Sequence, residues 1–139
     1  MIIQYQTTPP SKNDYFALFA TTGWNDVYHA SPEELARAIA NSNYVVCAFD
    51  QEQLVGFGRV VTDGVLHAMI YEMIVDPGYQ GLGIGTHILE MLVRWCKEAN
   101  ILEIQLFCAR DKRSFYEKNG FVARPDDAPG MQYRLSLDR

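Results

Sequence analysis

The sequence predicts a mixed α/β (α+β) domain whose central sheet is covered by helices, and three observations lead there. Apolar residues make up 48% of the 139-residue chain, which suits one core and leaves no room for two full ones. Tyr44 to Val75 reads as three consecutive strands separated by turn signals. After Val75 the pattern switches to a glycine-rich loop and then to apolar residues at helical spacing.

The elements follow in order. Ile2 to Tyr5 suits a short strand, broken at Pro9-Pro10. Ser11 is placed to cap a helix carrying Tyr15, Phe16, Leu18 and Phe19, which ends near Gly23. The second helix is better marked: Ser31 as cap, Pro32 at the first helical position and Glu34 completing a capping box, with Leu35, Ala38 and Ile39 as its apolar stripe. Tyr44 to Phe49 reads as a buried strand, Asp50 to Gln53 as a turn, Leu54 to Val61 as the next strand, Asp63-Gly64 as a hairpin signal and His67 to Val75 as the third strand of an antiparallel meander. Thr86 to Ala99 is a helix with Ile88, Leu89, Leu92, Trp95, Cys96 and Ala99 on one face. Ile101 to Phe107 is a strand, Asp111 to Asn119 a short helix stopped by Gly120, and Met131 to Leu137 a last strand. The unit from His67 to Phe107 calls for a right-handed parallel crossover. No repeat or linker interrupts residues 1–139, so one domain is expected.

Composition excludes several function classes. The formal charge of −5 gives no field that attracts a nucleic-acid backbone. No apolar run reaches the roughly 18–20 residues that span a bilayer, and Met1 to Gln6 lacks the pattern of a signal peptide. Cys47, Cys96 and Cys108 are odd in number and widely spaced, and His29, His67 and His87 are scattered. That argues against a disulfide framework or a metal site and for a reducing, cytoplasmic setting.

A strand, a glycine-rich loop and a helix together form an arrangement that binds phosphate, because successive N–H groups and the helix N-terminus converge on the anion. The P-loop pattern fails, since Ile84 follows Gly83 where a lysine is required, and the dinucleotide pattern fails at Thr86 or Ile88. What remains is Gln80-Gly81-Leu82-Gly83-Ile84-Gly85 after Val75-Asp76-Pro77. This loop resembles the Q-x-x-G-x-G loop of the GNAT superfamily of acyl-CoA N-acyltransferases. Ser114-Phe115-Tyr116-Glu117-Lys118-Asn119-Gly120-Phe121 resembles that family's F-Y-x-x-x-G-F segment, and the order of elements matches over nearly the whole chain. Gly23-Trp24, Asp63-Gly64 and Pro129-Gly130-Met131 extend the similarity to small bacterial members and to plant arylalkylamine-type acetyltransferases.

The resemblance implies a mostly antiparallel sheet of six to seven strands with about four helices, splayed between its fourth and fifth strands. It also implies acetyl-CoA as cosubstrate, a primary amine, most simply a small molecule, as acceptor, and direct attack in a ternary complex. Gln80, Gly81, Leu82, Gly83, Ile84, Gly85 and Thr86 would then hold the diphosphate. Met73, Ile74 and Val75 would bond the pantetheine arm, with the N–H of Ile74 or Val75 facing the thioester carbonyl. Tyr116 matches the family's general acid, the competing reading being a packing aromatic like Phe115. Ser114 and the basic Arg110, Lys112, Arg113 and Lys118 lie where the cofactor's phosphates could be met, or where a solvated helix face would be. The family's frequent Asn near Ala109-Arg110-Asp111 is absent here.

An alkylamine has a pKa of about 10.4 and must be neutral to attack. Glu72, a carboxylate inside the apolar run Ala68 to Val75, is the candidate base or amine-orienting group; the competing reading faces it to solvent or pairs it with Arg59, leaving ordered water as the base. Trp24, Tyr28, Phe57 and Tyr71, with His29, are candidates for the acceptor pocket, or for core packing. Two other functions fit the same motifs: a non-catalytic acyl-CoA-binding module, and a protein-lysine acetyltransferase. A monomer and a homodimer paired through the last strand are both open.

Overall fold

The computed structural model describes residues 1–135. Strands are β1 (Ile3–Gln6), β2 (Tyr44–Asp50), β3 (Gln53–Thr62), β4 (His67–Val75) and β5 (Glu103–Gln105). Helices are α1 (Lys12–Ala20), α2 (Asn25–Tyr28), α3 (Pro32–Ala40), α4 (Ile84–Glu98) and α5 (Arg113–Lys118), with a 3-10 turn at Pro77–Tyr79. The sheet order is β1-β2-β3-β4-β5. Every pairing is antiparallel except β4 with β5, which α4 connects in parallel.

The helix starts obey local chemistry. Asp14 N–H donates to Ser11 Oγ (3.1 Å) at α1. At α3 the capping box closes both ways: Glu34 N–H donates to Ser31 Oγ (3.1 Å) and Ser31 N–H to Glu34 Oε1 (3.0 Å). Asp63 Oδ1 accepts from the N–H of Val65 and of Leu66, both at 2.7 Å, and so shapes the β3–β4 turn.

The sheet is buried on both faces. Along β2, Val46 and Ala48 join Ile88, Leu89 and Leu92 of α4, while Val45 and Cys47 join Tyr15, Leu18 and Phe19 of α1. This is why β2 reads as a continuous apolar run. Each large side chain sealed in this way contributes roughly 1.5–3 kcal/mol. On β3, glycine lets α4 approach closely. A Cβ on Gly58 would stand 2.8 Å from Leu92 Cδ1, 2.9 Å from Met73 Sδ and 3.0 Å from Ile88 Cγ2. Gly58→Val should therefore lower stability by about 1–3 kcal/mol through overpacking, read as a drop in Tm by thermal denaturation; an unchanged Tm would mean that α4 can retreat from the sheet at no cost.

Three expectations are corrected among the described residues. There are five strands, not six to seven: Met131–Leu135 is not in a strand, and the rest of the expected last strand, 136–137, lies outside the described residues. The physical reason is the short template, since β5 spans three residues rather than Ile101 to Phe107, and Pro125 and Pro129 punctuate the chain beyond it. There are five α-helices, not about four. The extra one, α2, is a single turn too short to show periodicity, stabilised by Asn25, whose side chain donates to Ala30 O (3.1 Å) and accepts from Ala30 N–H (2.8 Å).

Candidate active site

β4 pairs with β5 only from His67 to Met69. Beyond Met69 the two strands part, and Ile70 to Val75 has no β5 partner. The fourth and fifth strands thus open onto a cleft of about 1160 Å³.

The cleft edge of β4 is re-phased by a bulge. Arg59 pairs with Tyr71 and Phe57 with Ile74, so Gly58 alone opposes both Glu72 and Met73. Glu72 takes the left-handed backbone, φ 46°. Further along, Asp76 N–H donates to Val55 O on β3 (2.8 Å). Strand alternation then turns the N–H and C=O of Val75 away from β3, toward the gap. The Gln80 side-chain amide donates to that carbonyl (3.1 Å), and the Val75 N–H faces the cleft.

The glycine-rich loop forms one end. Asp76 Oδ1 accepts from Gly78 N–H (2.9 Å), starting the turn that carries Tyr79 to its bond with Asp50 (Oη donating to Oδ2, 2.6 Å). Gly81 and Gly83 have φ 79° and 85°, and a Cβ on either would meet no atom within 4 Å. The N-cap of α4 is Gly83, whose side-chain-free backbone leaves the first amides of the helix open to an anion. Opposite lies α5. Phe115 packs near Gly85, and Tyr116 stacks edge-on with Phe115 (5.0 Å) and Phe121 (5.9 Å). Burial, and secondarily the Cys108 thiol, push the Tyr116 phenol up to about 12, so it keeps its proton at any ordinary pH.

Many of the expected site residues line this cleft: Met73, Ile74 and Val75 on the strand, Gln80, Gly81, Gly83, Ile84, Gly85 and Thr86 on the loop, and Arg110, Lys112, Tyr116 and Trp24 on the facing segments. Others stand elsewhere. Leu82 is exposed, and none of Leu82, Ser114 and Lys118 is among the lining residues. Phe57 is fully buried, its ring 4.7 Å from that of Tyr15. Tyr71 lies under Arg59 (5.3 Å), and Tyr28 is exposed near Phe19. Glu72 is held by Arg59, Nε to Oε2 at 2.7 Å and Nη2 to Oε1 at 3.3 Å, and is not among the lining residues. Among the described residues the lining contains no carboxylate side chain. Sequence reasoning missed the wall from Thr21 to Gly23, Val27 and Cys108. The Gly23-Trp24 pair was the available signal for it. No group of His, Cys, Asp or Glu among the described residues could hold a metal, and no described helix is long and apolar enough to cross a membrane.

Residues 12–121 match the family model described as acetyltransferase (GNAT) family. The chain belongs to the GNAT family. Among curated GNAT relatives, a histone acetyltransferase of Glycine max is 33% identical over 130 residues, covering 85% of this chain and 54% of its own. A chloroplastic serotonin N-acetyltransferase of Oryza sativa is 32% identical over 108 residues, covering 75% and 54%. The chain spans about half the length of the curated relatives it matches. A solved GNAT-family acetyltransferase of Streptococcus pneumoniae superposes with a TM-score of 0.82 at 26% identity, covering 96% of this chain and 98% of that one.

Proposed function

We propose that this GNAT chain is an acetyl-CoA-dependent N-acetyltransferase acting on a primary amine of small size. The observation that carries the reading is the gap beyond Met69, where a free strand edge, an open glycine-rich loop and a protonated tyrosine face one cleft. Acetyl-CoA supplies the activated acetyl group when bound. The amides of residues 81–86 suit its diphosphate, and Arg110 and Lys112 add positive charge to the same cleft. The Val75 N–H would stabilise charge on the carbonyl oxygen. Tyr116 holds the proton that the departing thiolate needs.

The acceptor side is formed by Thr21, Thr22, Gly23, Trp24 and Val27. The threonine hydroxyls are already engaged: Thr21 and Thr22 donate to Leu18 O and Phe19 O, both at 2.7 Å. Trp24 and Val27 leave an apolar wall that favours an amine with a flat apolar body. The relatives' names point both ways, to serotonin and to histones, and the apolar wall of Trp24 and Val27 favours a small molecule with an apolar body. Three free cysteines suit a reducing compartment, either the cytoplasm or a plastid like that named for the rice relative.

Release of thiol from acetyl-CoA in the presence of an amine panel tests the activity. Firm binding of coenzyme A with no turnover on any amine or lysine peptide would favour the non-catalytic module. On this reading, with no carboxylate among the described lining residues, the amine loses its proton to water. The rate per acceptor should then rise about tenfold per pH unit up to the acceptor's own pKa, about 10.4 for an alkylamine, and level off earlier for a less basic amine. A shared inflection near neutral pH for all acceptors would instead mean that an enzymic base does this work.

A further inference from the structure

We infer that Arg59 and Glu72 form a clasp that holds the β4 bulge and thereby aims the cleft edge of the strand, which makes Arg59 a positioning residue. The inference rests on the reading of the cleft as the acyl-CoA site. Ile70 lies in the core on the α4 side of the sheet and Ile74 in the core on the α1 side. Four residues apart on a regular strand, both would share a face. The bulge at Glu72 therefore turns over the last part of β4 and determines the side toward which Met73 to Val75 present their main-chain groups. That bulge needs the left-handed backbone at Glu72, φ 46°, where glycine sits freely and glutamate does not.

The counter-force is visible in the contacts. Arg59, 13% exposed at its side chain, grips both oxygens of Glu72, itself 25% exposed. The planar fork matches the carboxylate, so the grip is directional. Its Nη1 also donates to Ala38 O in the last turn of α3 and to Ser42 Oγ, both at 3.2 Å. The guanidinium lies 5.3 Å from the Tyr71 ring. One side chain on β3 thus ties the bulge of β4 to the end of α3. Glu72 faces this anchor and not the cleft, so its carboxylate acts on backbone geometry rather than on the amine.

Glycine at position 72 keeps the left-handed backbone without the carboxylate, which separates the two roles. Calorimetric titration with coenzyme A and amine turnover would be measured for Arg59→Met, Glu72→Val, Glu72→Gly and Arg59→Met/Glu72→Gly, with circular dichroism on each. Arg59→Met and Glu72→Val should weaken coenzyme A binding about tenfold and cut turnover about 100-fold, as misplacement of a site does. Glu72→Gly should bind coenzyme A within about threefold of wild type and keep the wild-type pH profile, and adding Arg59→Met to it should change affinity less than about twofold. Wild-type affinity in both Arg59→Met and Glu72→Val would overturn the clasp. So would a Glu72→Gly protein that binds coenzyme A normally yet loses turnover and the acid limb of its profile, because the carboxylate would then act in the chemistry. Should Glu72→Val not fold, Arg59→Met against its double variant decides alone. A wild-type protein that binds no coenzyme A would sink the reading of the cleft, a result distinct from either.

Discussion

Gly83→Glu should abolish coenzyme A binding, with affinity lowered more than about 100-fold, equivalent to about 2.7 kcal/mol or more. Gly83 is the N-cap of α4 with φ 85°, and the space where its Cβ would stand is open. Two effects add. A non-glycine residue held in this backbone region costs about 1–2 kcal/mol. A carboxylate at the mouth of the open amides competes for the same donors and repels the diphosphate, removing charge-assisted bonds. Gly83→Ala separates the two: with no clash to relieve, it keeps only the backbone cost and should weaken binding about tenfold. Calorimetric titration reads both. A glutamate variant that binds as wild type does would show that the anion sits elsewhere and would remove the basis for the cofactor assignment.

Tyr116→Phe should lower kcat about 100-fold while leaving coenzyme A affinity within about threefold, the signature of a lost proton donor. The ring contacts with Phe115 and Phe121 survive the change, so the fold should not suffer. The pH behaviour follows from the direction of the shift. Burial raises the phenol from its ordinary 10.0 to about 12. The protonated form therefore persists as pH climbs through 10, and a rate that needs this acid is lost only on approach to 12. Wild type should show no falling limb below about pH 10 that the phenylalanine variant lacks. An unchanged kcat in steady-state assays would mean that the leaving thiolate takes its proton from water or from Cys108.

What could be read without coordinates was local. Ser11 and the Ser31–Glu34 box marked helix starts because capping involves residues three apart in the chain. The apolar stripe of α4 announced a buried face: Ile88, Leu89, Leu92 and Cys96 are buried, Trp95 is half-buried, and Ala99, at the C-cap, is exposed. The loop at Gln80 to Gly85 stood out because glycines at such spacing serve an anion better than they serve a turn. Less legible were elements whose signal is short or conditional. The single turn α2 has no period to detect, and α4 begins at Ile84, inside the glycine loop, not at Thr86. The aromatic residues were the hardest to place. Phe57 and Trp24 look alike as candidates, but one is sealed under α1 and the other lines the cleft.

The chain's own order of residues marked β1 to β5 and the helices around them except α2, the helix caps and the glycine-rich loop, because each depends on neighbours within a few positions; the tyrosine of α5 was marked by the resemblance to the family's F-Y-x-x-x-G-F segment. Only the tertiary structure decided that β4 bulges at Glu72, that Arg59 takes its carboxylate, and that the expected splay of the fourth and fifth strands begins after Met69. The physical reason is that a strand buried on both faces carries apolar residues throughout, so its pattern does not say which face each side chain takes. One extra residue at a bulge reverses that choice for everything beyond it, and only the packed partner strand reveals that it is there.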